Sequence, residues 1–415
     1  MKILQVNFID TTGGAAIAAN RLNKDLLKNG IDSKMLVINK NSDDSTIIGP
    51  VSKVSKYLPK LRLHFSQRIL KLQKTSNLIF HSLNIFPTGL HRIINSMDVD
   101  IVHLHWINAE MISIGEISKI NKPIVWTLHD SWAFCGAEHH PAMENDYRYI
   151  DGYKRSNRNV GDSGIDLNRW VWKRKKKAWD NIKNLTLIAP SNWMANRARQ
   201  SILFKDRKIE MIHVGMDYNL FRPRDKRTVR EILEISVDKK IVLFGAMNAT
   251  SDPLKGYDLL IQALRKLDNI KDVELLIFGT SNIDKLYINN IKIHFLGHIS
   301  DNFLLNLFFN AADIFILPSM RENLPYVIME SLSCGTPVIA FDIGGISDMI
   351  DHKVNGYLAK PFGIDDLAKG IKWVLNLSSY DKLSKNTREK VIKEFDNRKI
   401  AEKHTELYNN AINNI

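Results

Sequence analysis

Two glutamates separated by seven residues, Glu322 and Glu330, stand in the segment 318–345, PSMRENLPYVIMESLSCGTPVIAFDIGG. Asn323, Leu324 and Pro325 read as the opening of a helix that holds Glu330, and Gly335 closes it before a strand at Val338. The first amides of a helix have no internal partner and sit at the positive end of its dipole, so they suit a phosphate. Ionised carboxylates accept hydrogen bonds from hydroxyls, which suits a sugar or a ribose. Phosphate and polyol together describe a nucleotide sugar. The bland alternative is a pair of surface glutamates on a solvated helix face, against which the surrounding block favours a functional role.

Four other places carry residues able to do chemistry. Gly13 and Gly14 follow an apolar run, Lys2–Phe8, where glycine lets backbone approach a ligand closely. His129 and Asp130 end the run Ile124–Thr127; the histidine fits a site role or a buried structural one, and Asp130 serves to orient a neighbour or to pair with backbone. Lys255 and Gly256 precede a helix. His103, His105 and Trp106 end another strand, and with no third ligand in view the histidines read as core or acceptor-side residues rather than a metal site. A G-x-G-x-x-G fingerprint is absent, since Gly13-Gly14-Ala15-Ala16 has the wrong spacing, which argues against a dinucleotide-dependent oxidoreductase.

These residues need a scaffold, and the chain of 415 residues is long enough for two domains. Short branched runs at Met35–Ile38, Ile101–Leu104, Ile124–Thr127 and Leu185–Ala189 predict a first parallel sheet. Ile209–Pro223 reads as a connection. Runs at Ile241–Phe244, Glu274–Phe278, Ile293–Leu296, Ile314–Leu317, Pro337–Ala340 and Gly356–Leu358 predict a second sheet, with helices between them. The expected fold class is α/β, two Rossmann-like domains at 1–205 and 206–398 facing across a central cleft, with the last helix, within 399–415, able to pack back on the first domain or to cap the second.

Cys135 and Cys334 are too few for a disulfide framework, which fits a reducing cytosol. No signal peptide and no membrane span is expected. The net charge of +13 favours polyanions. Two basic stretches stand out: Val51–Lys74, and Arg169–Trp179 with Lys173, Arg174, Lys175, Lys176 and Lys177 in succession among three tryptophans. Both read either as an anionic membrane-surface contact or as solvated helix faces. No nucleic-acid motif accompanies them.

Taken in order, these segments resemble the retaining glycosyltransferases of family 4, of GT-B fold and bacterial polysaccharide-assembly type. The E-x7-E block with CGTPVIA and a Gly-Gly turn carries the resemblance, with Thr127–Asp130, Ala189-Pro190-Ser191, Phe221-Arg222-Pro223 and Lys255-Gly256 in support. The resemblance implies a metal-independent enzyme without a cofactor, cytoplasmic or peripheral on the inner face of the plasma membrane. It would move a hexose-type sugar from a UDP- or GDP-sugar to a growing, lipid-linked surface glycan. It assigns Glu330 to the ribose, Glu322 to the transferred sugar, the Asn323 and Leu324 amides with Gly13 and Gly14 to the diphosphate, Lys255 to the leaving group and His129 to the reacting centre. An arginine usual after the first strand of the second domain is missing, which shifts weight to Lys255, Asn248 and Thr250. A sugar-nucleotide epimerase of the same fold and a non-enzymatic nucleotide-sugar-binding subunit are the alternatives.

Overall fold

Strands that are apolar on both faces are satisfied only when helices cover both sides of a sheet, and two such sheets form here. The computed structural model describes residues 1–50, 53–77, 79–141, 145–267, 272–280 and 287–413, without the side chains of 53–56. Val51 and Ser52, the start of the first basic stretch, lie outside the described residues. The chain divides into two units, Met1–Val214 with Arg398–Ile415, and Gly215–Asn397.

The first unit contains β1 (Lys2–Val6), β2 (Asp32–Leu36), β3 (Ile47–Ile48), β4 (Gln73–Lys74), β5 (Ile101–Leu104), β6 (Ile124–Thr127), β7 (Ser163–Gly164), β8 (Leu185–Ala189) and β9 (Lys208–Met211). Its parallel sheet runs β3-β2-β1-β5-β6-β8-β9, and β4 pairs with β7 apart from it. Alternate residues sort onto two faces. Leu4, Val102, Trp126 and Leu187 join the larger core, whereas Ile3, Ile101, Val125 and Ile188 meet Ile400, Ala401, Leu407 and Tyr408 of the helix Asn397–Asn413. Each fully buried Ile, Leu or Val contributes about 1.5–3 kcal/mol.

The segment after residue 205 departs from expectation. Lys208–Met211 pairs with β8 from Thr186↔Lys208 to Ala189↔Met211, so the unit boundary falls at Val214–Gly215 rather than at 205–206. An edge strand that alternates Lys208, Ile209, Glu210 and Met211 lacks the continuous apolar run by which buried strands are recognised.

The second unit contains β10 (Lys240–Gly245), β11 (Val273–Phe278), β12 (Tyr287–Ile288), β13 (Ile291–Phe295), β14 (Ile314–Leu317), β15 (Val338–Phe341) and β16 (Gly356–Ala359). Their order is β12-β13-β11-β10-β14-β15-β16, parallel except for β12 against β13. Arg388 holds the incoming chain, its Nη1 donating to the carbonyls of Tyr218 (2.7 Å), Phe221 (2.8 Å) and Ser333 (2.8 Å). Open parallel sheets present their ligand loops beyond the carboxyl ends of the strands. In this unit those loops follow β10, β14 and β15.

Candidate functional site

Of the sequence-predicted residues, Lys255, Glu322, Asn323, Leu324 and Glu330 belong to the second unit, and Gly13, Gly14 and His129 to the first. Lys255 ends a short turn, Pro253–Lys255, whose Asp252 carboxylate accepts from the Leu254 amide at 3.0 Å. Gly256 then takes φ +72, with the Pro318 carbonyl where a side chain would begin; a Cβ would lie 1.9 Å from that oxygen. The helix Tyr257–Arg265 therefore starts against the end of β14, and the Met320 amide donates to the Leu254 carbonyl at 2.8 Å.

That contact brings Glu322 to Lys255, with Nζ 2.9 Å from Oε1 and both side chains mostly buried. The Glu322 charge, countered in part by burial, holds the Lys255 ammonium above its ordinary range. Gly344 takes φ +57 with the Glu322 carbonyl 1.8 Å from where its Cβ would be, and the Gly345 amide donates to the Asn323 carbonyl at 2.9 Å. The Gly-Gly turn after β15 thus clamps the backbone that carries Glu322.

The helix begins one residue later than expected, at Tyr326, because Pro325 occupies the N-cap with φ −74. Asn323 and Leu324 accordingly lie in the turn ahead of the helix, not in its first turn. Glu330 is buried within that helix. Thr250 shares a 2.7 Å hydroxyl–hydroxyl bond with Thr280, and Asn248 sits at φ +57. Ser319, after the end of β14, is fully buried with a hydroxyl that has no hydrogen-bond partner among the described residues; it stands three residues before Glu322 and was not singled out by spacing.

In the first unit, Gly13 caps the helix Gly14–Lys28 at φ +91, ψ 155, a conformation that side chains rarely adopt. Before it, burial works to raise the Asp10 carboxyl, yet the Ser42 hydroxyl and the Asn41 and Ser42 amides hold it below its usual range.

His129 follows β6, and its Nε2 lies 3.0 Å from His105 Nδ1 with the rings stacked. Burial pulls the His129 imidazole down to about 4 against the opposing charge of Asp130, so it is neutral at pH 7. A small polar cavity lined by His105, Trp106, Asn108, Thr127, His129 and Asp130 opens here. The buried Asn108 Oδ1 has no partner among the described residues.

Asp130 has several partners. Its Oδ2 meets His139 Nδ1 (2.6 Å) and accepts from Trp106 Nε1 (3.0 Å), and its Oδ1 accepts from the Trp132 amide (2.9 Å). Burial opposes its charge, but His139 and these donors hold the carboxyl far below the usual range. His139 Nε2 continues to Ser82 Oγ at 2.9 Å. This is the connectivity of a hydrolytic triad, yet Ser82 is buried and unable to reach a substrate. The three residues brace the loop Ser131–His140. Cys135 in that loop is buried, and burial pushes its thiol up, so it is no nucleophile.

Of the run 173–177, Lys173, Lys176 and Lys177 are exposed and Arg174 is half-buried, whereas Lys175 leaves the basic face. In the helix Leu167–Trp179, Lys175 is fully buried, donating to the carbonyls of Trp132, Cys135 and Gly136 and lying over the Trp132 ring. Trp172 and Trp179 are buried too, leaving Trp170 as the partly exposed indole. Five consecutive positions at 100° each cover every direction around a helix, so one must face the core.

Comparison with known proteins follows the same division. A model described as Glycosyltransferase Family 4 matches residues 12–220, and one described as Glycosyl transferases group 1 matches residues 225–393. The chain belongs to glycosyltransferase family 4. It is 30% identical over 183 residues to the D-inositol 3-phosphate glycosyltransferase of Mycobacterium tuberculosis, a match covering 41% of this chain and 36% of that relative. The chain thus spans about a third of the length of the curated relatives it matches. Among solved structures, sucrose-phosphate synthase of Thermosynechococcus elongatus covers 100% of both chains with TM-score 0.66 at 18% identity. Anabaena HepE in complex with UDP-glucose covers 98% of this chain and 100% of its own, with TM-score 0.63 at 17% identity. These likenesses give the family 4 chain the GT-B fold.

Proposed function

We propose that this family 4 chain is a retaining, metal-independent glycosyltransferase that moves a sugar from a nucleotide-diphosphate donor to a growing, lipid-linked surface polysaccharide. The Lys255–Glu322 pair carries this reading. A glycine on each side, Gly256 and Gly344, fixes the backbone so that a protonated lysine and a carboxylate stand side by side at the carboxyl edge of the sheet. Departure of a nucleoside diphosphate builds negative charge, and a preorganised cation lowers the barrier to it without a divalent ion. Lys255 serves the leaving group, Glu330 the ribose and Glu322 the hydroxyls of the transferred sugar. The Asn323 and Leu324 amides and the Gly13–Gly14 backbone serve the diphosphate, and His129 the transferred sugar near its reacting carbon. The complex of HepE with UDP-glucose supports a nucleotide sugar as donor.

Contact with an anionic membrane, in this reading, belongs to the helix Lys53–Leu70 rather than to residues 173–177. Tyr57, Leu61 and Phe65 are exposed one turn apart beside Lys60 and Arg68, and the stretch 51–74 contains no acid. Among the described residues no helix is long and apolar enough to cross a membrane.

Thermal shift with UDP, GDP, ADP and NAD tests the donor class: one nucleoside diphosphate raises the melting temperature and EDTA leaves the shift intact. Stabilisation by NAD alone would overturn the proposal. Release of the nucleoside diphosphate that depends on an added acceptor separates a transferase from an epimerase or a silent binding subunit.

A further inference from the structure

Behind His129 runs a chain of buried polar groups that the sheet and the last helix assemble together. His105 Nε2 lies 2.6 Å from Gln5 Oε1, and His105 Nδ1 lies 3.0 Å from His129 Nε2. Gln5 Nε2 donates to the Tyr408 hydroxyl at 3.4 Å. That hydroxyl is 2.7 Å from His103 Nδ1, and His103 Nε2 is 2.8 Å from Thr127 Oγ1. Gln5 and His103 are fully buried, Tyr408 likewise, and His105 nearly so.

Hydrogen-bond bookkeeping orders the protons along this chain. An amide oxygen only accepts, so His105 carries its proton on Nε2 and donates it to Gln5. Burial keeps His105 neutral, which leaves Nδ1 with a lone pair. The partner facing that lone pair at hydrogen-bond distance must then be the donor, namely His129 Nε2–H. The Gln5 amide in turn donates to Tyr408, whose single hydroxyl proton goes to His103 Nδ1, and His103 Nε2–H goes to Thr127. Every link runs in one direction without conflict.

We propose that Gln5, acting through His105, is a positioning residue that sets the tautomer of His129, with the proton on Nε2 and the lone pair on Nδ1. That tautomer makes Nδ1 an acceptor, where the opposite tautomer would make it a donor. The benefit to turnover rests on the role given above to His129, whereas the tautomer itself does not.

Long-range proton–nitrogen correlation spectra of the full chain labelled with 15N-histidine, assigned with His129→Asn, read the tautomer directly. The wild type is expected to show a neutral His129 protonated on Nε2. Gln5→Glu keeps the shape but draws a second proton onto His105, whose Nδ1–H then donates to His129, so the His129 proton moves to Nδ1. Gln5→Leu, with no acceptor, gives a mixture. In Gln5→Glu, kcat falls by about tenfold, less than the roughly 10²–10⁴-fold that a positioned proton donor or acceptor supplies because the ring itself stays in place, with the donor KM little changed. A wild-type His129 protonated on Nδ1, or a His129 spectrum unmoved in both variants, overturns the proposal. A reversed tautomer with unchanged kcat upholds it and removes His129 from transfer.

Discussion

At the scale of the residue, the Lys255–Glu322 pair separates binding from chemistry. Glu322→Gln removes the charge that holds the Lys255 ammonium above its ordinary range, so Lys255 moves back toward the usual lysine value while remaining protonated at pH 7. Nucleoside diphosphate binding, followed by calorimetry, is expected to persist or tighten, since the lysine loses an internal competitor, while sugar transfer falls. Lys255→Met loses the cation itself, and a loss of one charge-stabilising donor costs roughly 10²–10³ in kcat. Equal turnover in wild type and Lys255→Met would remove this corner from the reaction. The acids were legible because an E-x7-E spacing with a following glycine turn is contiguous in sequence; their salt bridge was not, because Lys255 lies 67 positions from Glu322.

At the scale of the element, glycines of the same type have opposite consequences. Gly256→Ala and Gly344→Ala each force a Cβ into a carbonyl at a left-handed backbone position, and a cost of at least about 2 kcal/mol in urea unfolding is expected. Gly14 begins the helix Gly14–Lys28 with nothing within 4 Å of its added Cβ. Gly14→Ala should leave stability unchanged or raise it by up to about 1 kcal/mol. If the backbone there approaches a diphosphate, nucleotide affinity nevertheless falls. A Gly14→Ala chain that binds donor as the wild type does would reduce that loop to a plain strand-to-helix turn. For the helix Lys53–Leu70, Leu61→Asp with Phe65→Asp is expected to abolish flotation with vesicles rich in anionic lipid, whereas Lys173→Gln with Lys177→Gln leaves it intact. Flotation that survives the first pair and fails with the second would return the contact to the helix Leu167–Trp179.

At the scale of the molecule, buried neutral histidines make the first unit sensitive to acid. Burial pulls His129 and His404 down to about 4 and His103 and His105 well below the ordinary 6.5. The unfolded chain therefore binds more protons than the folded one between about pH 6.5 and 4, so stability drops as pH falls through that window. Each such histidine contributes up to about 1.4 kcal/mol per pH unit. Urea midpoints measured across the window should fall steeply for the wild type and less steeply for His404→Gln, which removes one titrating ring at the sheet-facing side of the last helix. Identical slopes would show that the ring is already charged in the fold.

Periodicity and short contiguous motifs, by themselves, determined that this chain builds two sheets of apolar parallel strands and that the acids near residue 322 stand beside a glycine turn. Both follow from local physics: strand burial needs branched runs, and a tight return needs glycine. Only the tertiary structure decided that Lys208–Met211 is an edge strand, that Lys175 points inward from a basic run, and that Tyr408 of the last helix reaches Gln5 and His103 of the first sheet. Those outcomes depend on which groups lose water together, and residues four hundred positions apart meet only when the chain has closed around them.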